Sequence, residues 1–412
     1  MRVVIVGGSH AGISCAEALR QNGFDGEVVI VDRLSGLPIE RPPLSKAFLA
    51  ADAADEARFA FRTADWFDQH NVMLHAGCDV TGINAGDRQL LLDDGTPFDY
   101  DRLVLATGAT PRRLPAADGL AGVFELRHPD DARAIRDAAA NAASAVIVGG
   151  GYIGLEVAAS LIKRGLKVSL IEAADRLLAR VASAPISEFF ETLHSDAGVD
   201  LHLGDGVAEI LSANGAFTGV ERANGSMISA DMLVVGIGVA PETGLAAAAG
   251  CAVGNGILVG ADMATNIDGI YAVGDGALIT QNDAPAIGTT PIRIESVHNA
   301  QDSGARAAAA INGHEPPPHQ APWFWSEQYD VRLQSAGLVP TAANDVIHVR
   351  RTGKRDTGFS VWSLEAGRVC AVEAVRDPAG YMLGKNCLER GLSPDAAQLA
   401  DPGFDLKAFA AR

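Results

Sequence analysis

Cysteine is scarce in this chain and never paired. Five are present (Cys15, Cys78, Cys251, Cys370, Cys387), an odd number with no C-x-x-C spacing. That pattern excludes a disulfide framework and an internal iron–sulfur cluster, and it points to a reducing, cytoplasmic compartment. Any iron–sulfur centre must be supplied by a partner. Basic residues are outnumbered, 33 Lys and Arg against 51 Asp and Glu, for a net charge of −18. Nucleic acid, which needs a basic surface, is thereby excluded as a partner. One local basic patch, Arg350, Arg351, Lys354 and Arg355, reads as a solvated loop. No apolar run is long enough and plain enough for a membrane. The longest, Ala145 to Ile162, carries four glycines and Glu156 where a buried strand and helix need them. The first strand begins at Arg2, which leaves no room for a signal peptide. Neither a nucleophile–base triad nor a zinc-ligand spacing stands out.

What is abundant is the glycine-rich turn after a β-branched strand. Val3-Val4-Ile5-Val6 runs into Gly7-Gly8-Ser9-His10-Ala11-Gly12, and Ala145-Val146-Ile147-Val148 runs into Gly149-Gly150-Gly151-Tyr152-Ile153-Gly154. Such a turn lets the backbone approach a pyrophosphate, which then rests on the following helix N-terminus. The second unit matches G-x-G-x-x-G fully. The first departs from it, with Ser9 in place of the middle glycine; a small serine still fits, and its hydroxyl can donate to phosphate. A carboxylate about 20 residues downstream is expected to bind a ribose diol. Asp32 stands there in the first unit and Glu172 in the second. Glu172 is followed by Ala173 and Ala174, so its charge repels a 2′-phosphate and favours NADH over NADPH, with Arg176 able to soften the preference slightly. Two such units suggest a protein holding two dinucleotides at once.

The 412 residues suffice for two or three domains. The pattern predicts helices over 11–22, 154–164 and 381–389. Strands are predicted at 28–31, 103–105, 167–171, 199–203, 207–212 and 232–235, and again at 270–273, 346–350, 359–364 and 369–375. Pro316-Pro317-Pro318 reads as a stiff linker. The second nucleotide unit is expected as an insertion in the first, with 1–112 and 241–318 forming the first dinucleotide-binding domain, 113–240 the second, and 319–412 a small C-terminal domain.

At this point a family emerges from the residues. Arg41-Pro42-Pro43-Leu44-Ser45-Lys46, Ala106-Thr107-Gly108, Gly149 to Glu156, Tyr271-Ala272-Val273-Gly274-Asp275, Ile294 to Ala300, and Trp323-Phe324-Trp325-Ser326-Glu327-Gln328 occur in that order. The chain resembles, over nearly its whole length, the flavin-dependent NADH:ferredoxin reductases of bacterial aromatic-ring dioxygenases and haem-thiolate monooxygenases. The fold implied is α/β, with two Rossmann-like dinucleotide-binding domains arranged as in glutathione reductase plus a small α+β C-terminal domain. The cofactors implied are FAD and NADH; the partner implied is a two-iron ferredoxin.

Carried over by position, the resemblance implies FAD contacts from Gly7, Ser9, His10, Ala11, Gly12, Asp32, Arg41, Lys46, Ala106, Thr107 and Gly108. It adds Gly274, Asp275 at the ribityl chain, and Glu295, Ser296 and Val297 at a helix start facing the flavin pyrimidine. Gly149, Gly151, Tyr152, Ile153, Gly154, Glu156 and Glu172 are implied for NAD. Lys46 is placed near flavin N5, Glu156 toward the nicotinamide and able to pair with Lys46, and Trp325 near the isoalloxazine and the partner's docking surface. Ile39 departs from the family, whose members often carry tyrosine before this segment. Docking is expected either through a local basic patch of Arg306, Arg332 and Lys46 or through apolar contact. Two other classes share the scaffold. A disulfide or peroxide reductase needs a cysteine against the flavin, which Arg41 to Lys46 does not provide. A redox sensor of the apoptosis-inducing-factor type differs only in rates.

Overall fold

The computed structural model describes residues 1–50, 53–280, 291–318, 320–340, 345–355 and 357–411. They form two compact units, each assembled from three separated stretches of chain.

The first unit comprises Met1–Glu40, Ala54–Thr110 and Ala240–Pro322. Its five-stranded parallel sheet runs in the order Ile270–Ala272, Arg102–Leu105, Arg2–Val6, Glu27–Asp32, Val72–Ala76. Val3 lies opposite Val28 on one side and Arg102 on the other. Val3, Val4 and Ile5 are wholly buried, as befits a strand covered on both faces, where apolar residues run on without alternating. The helix His10–Gln21 makes the crossover to the second strand and packs on the helix Val297–Ile311. Gly304 permits this approach, because a Cβ there would sit 2.8 Å from the Ala11 carbonyl oxygen. Two three-stranded sheets complete the unit: Val80–Asn84, Gln89–Leu92 and Pro97–Asp99, then Val253–Gly254, Gly256–Val259 and Ala277–Ile279.

The second unit comprises Arg41–Ala53, Pro111–Val239 and Trp323–Arg412. It has its own five-stranded parallel sheet: Asp200–Leu203, Lys167–Glu172, Ser144–Val148, Met232–Val235, Val123–Phe124. The helix Tyr152–Lys163 crosses over from Ser144–Val148 to Lys167–Glu172. The C-terminal stretch forms a five-stranded antiparallel sheet, Trp323–Gln328, Val331–Gly337, Arg368–Val375, Phe359–Glu365, Val346–Thr352. The helix Pro378–Glu389 covers it, with Trp362, Val372 and Cys387 in the core between them. Arg41–Ala53, which holds the R-P-P-L-S-K segment, clusters with this unit, whereas the sequence division at residue 112 puts it with the first.

Two expectations need correcting. The Val346–Thr352 strand runs past the predicted 346–350 and takes in Arg351 as well, so this part of the basic patch is not a loop: Arg350 lies over the Phe359 ring at 4.0 Å, and Arg351 donates to the Asp401 and Leu399 carbonyls. The helix after Ile294 begins at Val297, so Glu295 precedes it and Ser296 is its cap, accepting from the Asn299 N–H at 3.0 Å. Among the described residues no helix is long and apolar enough to cross a membrane.

Candidate functional site

In the first unit, Gly7 adopts φ +108°, and a Cβ there would strike the Ala106 carbonyl oxygen at 2.4 Å. Gly12 is held as tightly, its Cβ position 2.0 Å from the Gly7 carbonyl oxygen. The strand–turn–helix closes so tightly that side chains are excluded. Gly274 reaches the same place from the far end of the sheet, with its Cβ position 2.9 Å from Ala11 Cβ and its N–H donating to Ser303 Oγ at 2.9 Å. The structure thus gathers Gly7, Ala11, Gly12, Ala106 and Gly274. Asp32 accepts from the Gly8 N–H at 2.9 Å and the Leu34 N–H at 3.0 Å, bracing the turn. His10 is buried at the helix start, edge-on to Phe61 at 4.8 Å. Thr107 Oγ1 donates to the Glu242 carbonyl at 3.0 Å. Glu295 forms an ion pair with Arg293 at 2.5 Å, and Arg293 also donates to the Asp275 carbonyl.

The second unit repeats the turn. Gly149 has φ +110°, with its Cβ position 2.3 Å from the Gly236 carbonyl oxygen; that of Gly154 lies 2.1 Å from the Gly149 carbonyl oxygen. Gly151 differs, since a Cβ there would meet nothing within 4 Å. Glu172 accepts from the Gly150 N–H at 2.6 Å and the Ala174 N–H at 2.8 Å. Arg176 donates to the Ala179 and Ala182 carbonyls and to Ser187 Oγ, so its guanidinium is turned into its own loop. At the helix start Ile153 is exposed, while Tyr152 packs on Phe324 with ring centroids 4.5 Å apart, its phenol pushed up by burial and by the nearby Glu373 and Glu156 carboxylates.

The most concentrated polar chemistry of this unit surrounds Glu156. Its carboxylate is 2% exposed. Oε2 receives Lys46 Nζ at 2.6 Å and Ser45 Oγ at 2.5 Å, and Oε1 receives Ser326 Oγ at 2.6 Å. Lys46 donates as well to the Pro42 carbonyl, and Ser160 Oγ ties the Ser45 carbonyl to the same helix. Arg41 Nη1 donates to the Arg127 carbonyl at 3.0 Å. Ser45 and Ser326 stood inside the quoted motifs without a role; their signal was their place beside Lys46 and Trp325. Trp325 is half-buried and lies against Trp323, ring centroids 5.6 Å apart. Alternation along this strand sends Phe324 and Ser326 to the Tyr152–Lys163 helix and Trp325 to the other face.

The basic docking patch is not as expected. Arg306 is 1% exposed and donates to the Ala261 and Pro317 carbonyls. Lys46 is committed to Glu156, and Arg332 alone is exposed, with Glu327 at 3.7 Å.

Residues 1–304 match the pyridine nucleotide-disulphide oxidoreductase family and residues 323–410 match a reductase C-terminal domain. The chain belongs to this oxidoreductase family. The oxidoreductase is 41% identical over 414 residues to rhodocoxin reductase of Rhodococcus erythropolis, covering 100% of this chain and 95% of the relative. It is 40% identical to putidaredoxin reductase of Pseudomonas putida, covering 98% and 96%. In three dimensions it is similar to the reductase in a covalent putidaredoxin reductase–putidaredoxin complex, with a TM-score of 0.92, 38% identity, and 100% and 98% of the two chains covered. A ferredoxin reductase from Rhodopseudomonas palustris gives 0.93 at 37% identity, covering 99% of each.

Proposed function

We propose that this ferredoxin reductase carries electrons from NADH through FAD to a two-iron ferredoxin serving an oxygenase, with one glycine turn for each dinucleotide. The observation that carries the reading is the pair of turns on one chain. Both close too tightly for a Cβ at their first and last glycines, and Gly151 leaves open space at the position that phosphate needs in the second. The residues present therefore fit both groups. Bound FAD would supply a hydride acceptor for NADH and a store that releases electrons one at a time.

The first unit holds FAD through Gly7, Ser9, His10, Ala11, Gly12, Asp32, Ala106, Thr107, Gly108, Gly274 and Asp275, with Glu295, Ser296 and Val297 at the start of a helix whose positive end favours negative charge. Residues 1–112 and 241–318 make this domain, 113–240 the NAD domain and 319–412 the C-terminal domain. Gly149, Gly151, Tyr152, Ile153, Gly154 and Glu172 hold NADH. Glu172 accepts the ribose hydroxyls and repels a 2′-phosphate, and Arg176 turns its guanidinium donors into its own loop instead of offering them to a 2′-phosphate. Arg41, Lys46, Glu156 and Trp325 serve the redox centre. Lys46 offers positive charge to a reduced flavin, and Glu156 orients it through their ion pair.

Disulfide chemistry is not supported. Cys15 is wholly buried in the first helix, and burial pushes its thiol up to about 12, so it stays protonated and unreactive. All five cysteines are unpaired, which supports a cytoplasmic home. The test is NADH-driven reduction of candidate two-iron ferredoxins with cytochrome c as terminal acceptor. Flavin reoxidation well above the rate with oxygen alone supports the reductase; no acceleration by any ferredoxin, with a long-lived charge-transfer species, would favour a sensor.

A further inference from the structure

Glu156 ends a buried chain of hydrogen bonds whose members all point one way. An ionised carboxylate only accepts, so Ser326 must donate its hydroxyl proton to Oε1. Ser326 Oγ then accepts from Gln328 Nε2 at 3.1 Å, which turns the Gln328 carbonyl oxygen toward His194 Nε2 at 2.7 Å. His194 therefore carries its proton on Nε2, leaving Nδ1 bare to accept from the Tyr329 hydroxyl at 3.1 Å. Ser326, Gln328 and His194 are each at most 1% exposed. Burial holds His194 below the ordinary imidazole range, and burial pushes the Tyr329 phenol up to about 12, so both stay neutral. Lys163 Nζ pins the far end by donating to the Tyr329 carbonyl at 3.0 Å.

We infer that Ser326, Gln328 and His194 are positioning residues that fix the Glu156 carboxylate and lock the Trp325-bearing strand to the helices carrying Glu156 and His194. Ser326 and Gln328 alternate with Trp325 on one strand, so the bonds that hold Oε1 also set where Trp325 stands. With Oε1 tied to Ser326, Oε2 is left to Lys46 and Ser45. A single-oxygen anchor would let the carboxylate rotate and Lys46 follow it. The inference rests on the reading that Glu156 and Lys46 serve the redox centre.

Two measurements on the full-length holoenzyme test it. Ser326→Ala should slow flavin reduction at saturating NADH by about tenfold, while the NADH dissociation constant moves by less than about twofold; Ser326→Thr should recover most of the rate. Histidine-selective ¹⁵N NMR should show His194 as one neutral Nε2–H tautomer between about pH 6 and 8. Ser326→Ala should release that tautomer. A wild-type rate in Ser326→Ala, no rescue by threonine, or an Nδ1–H or titrating His194 in the wild-type protein would each overturn the inference. If Glu156→Gln leaves flavin reduction unchanged while His194 keeps its tautomer, the chain of bonds stands and the redox-centre reading fails instead.

Discussion

Lys46 Nζ meets Glu156 Oε2 at 2.6 Å across 110 residues of sequence, joining the end of a 3₁₀ turn to a helix one turn past the glycine-rich loop. The carboxylate is buried and the ammonium is 19% exposed, so the two partners are not equally expendable. Lys46→Met removes the cation from a buried carboxylate that keeps its Ser45 and Ser326 donors, and should destabilise the protein by about 2–3 kcal/mol. Glu156→Gln leaves Lys46 its Pro42 carbonyl and some water, and should cost about 1 kcal/mol. Denaturant unfolding followed by tryptophan fluorescence measures both, and the double variant should lose less than the two single losses combined.

Nucleotide choice should turn on Glu172. Glu172→Arg removes the repulsion of a 2′-phosphate and also the brace on Gly150, so NADH affinity should fall while NADPH affinity rises. The ratio of kcat/KM for NADH over NADPH should drop by at least about tenfold, the worth of one charge-assisted contact. An unchanged ratio would remove Glu172 from the ribose site.

Two glycines three residues apart should behave oppositely. Gly154→Ala puts a methyl 2.1 Å from a backbone oxygen, so thermal melting should show heavy destabilisation with the turn displaced. Gly151→Ala meets no protein atom and should melt close to the parent. Its methyl occupies the space assigned to pyrophosphate, so NADH titration should give affinity at least about tenfold weaker.

Glu373 supplies a pH signature unrelated to turnover. It is wholly buried on the Arg368–Val375 strand, where it accepts from the Ser183 N–H at 3.2 Å. Burial pushes it from 4.5 to about 7, against the pull of Ser183 and Arg176. A carboxyl raised on folding binds its proton more tightly in the folded state. Its contribution is therefore complete below 4.5, declines as pH rises, and is lost above about 7. Glu373→Gln should match the parent near pH 4.5 and exceed it at pH 8 by up to about 3 kcal/mol, measured by unfolding across that range.

Local chemistry was legible in the chain because it depends on near neighbours. Val3–Val6 and Ala145–Val148 announce doubly covered strands, and the turn glycines announce backbone where a Cβ has no room. Asp32 and Glu172 fall at the ends of the second strands by the arithmetic of one helix between two strands. The strands Trp323–Gln328 and Val331–Gly337 carry no clear period in sequence, since Ser326, Gln328 and Gln334 break the apolar alternation that marks a half-buried strand. Ser326 and Gln328 make sense only opposite Glu156 and His194. Arg306 shows the same limit from the other side: a lone arginine reads as surface charge until the fold encloses it with the Ala261 and Pro317 carbonyls. The two glycine turns, the carboxylates downstream of them and the scarcity of cysteine are periodic or local patterns, so each can be read without knowing the fold. Which oxygen of Glu156 faces Lys46 and which faces Ser326 depends on the fold, because partners 110 and 170 residues away are chosen by packing and leave no period to read.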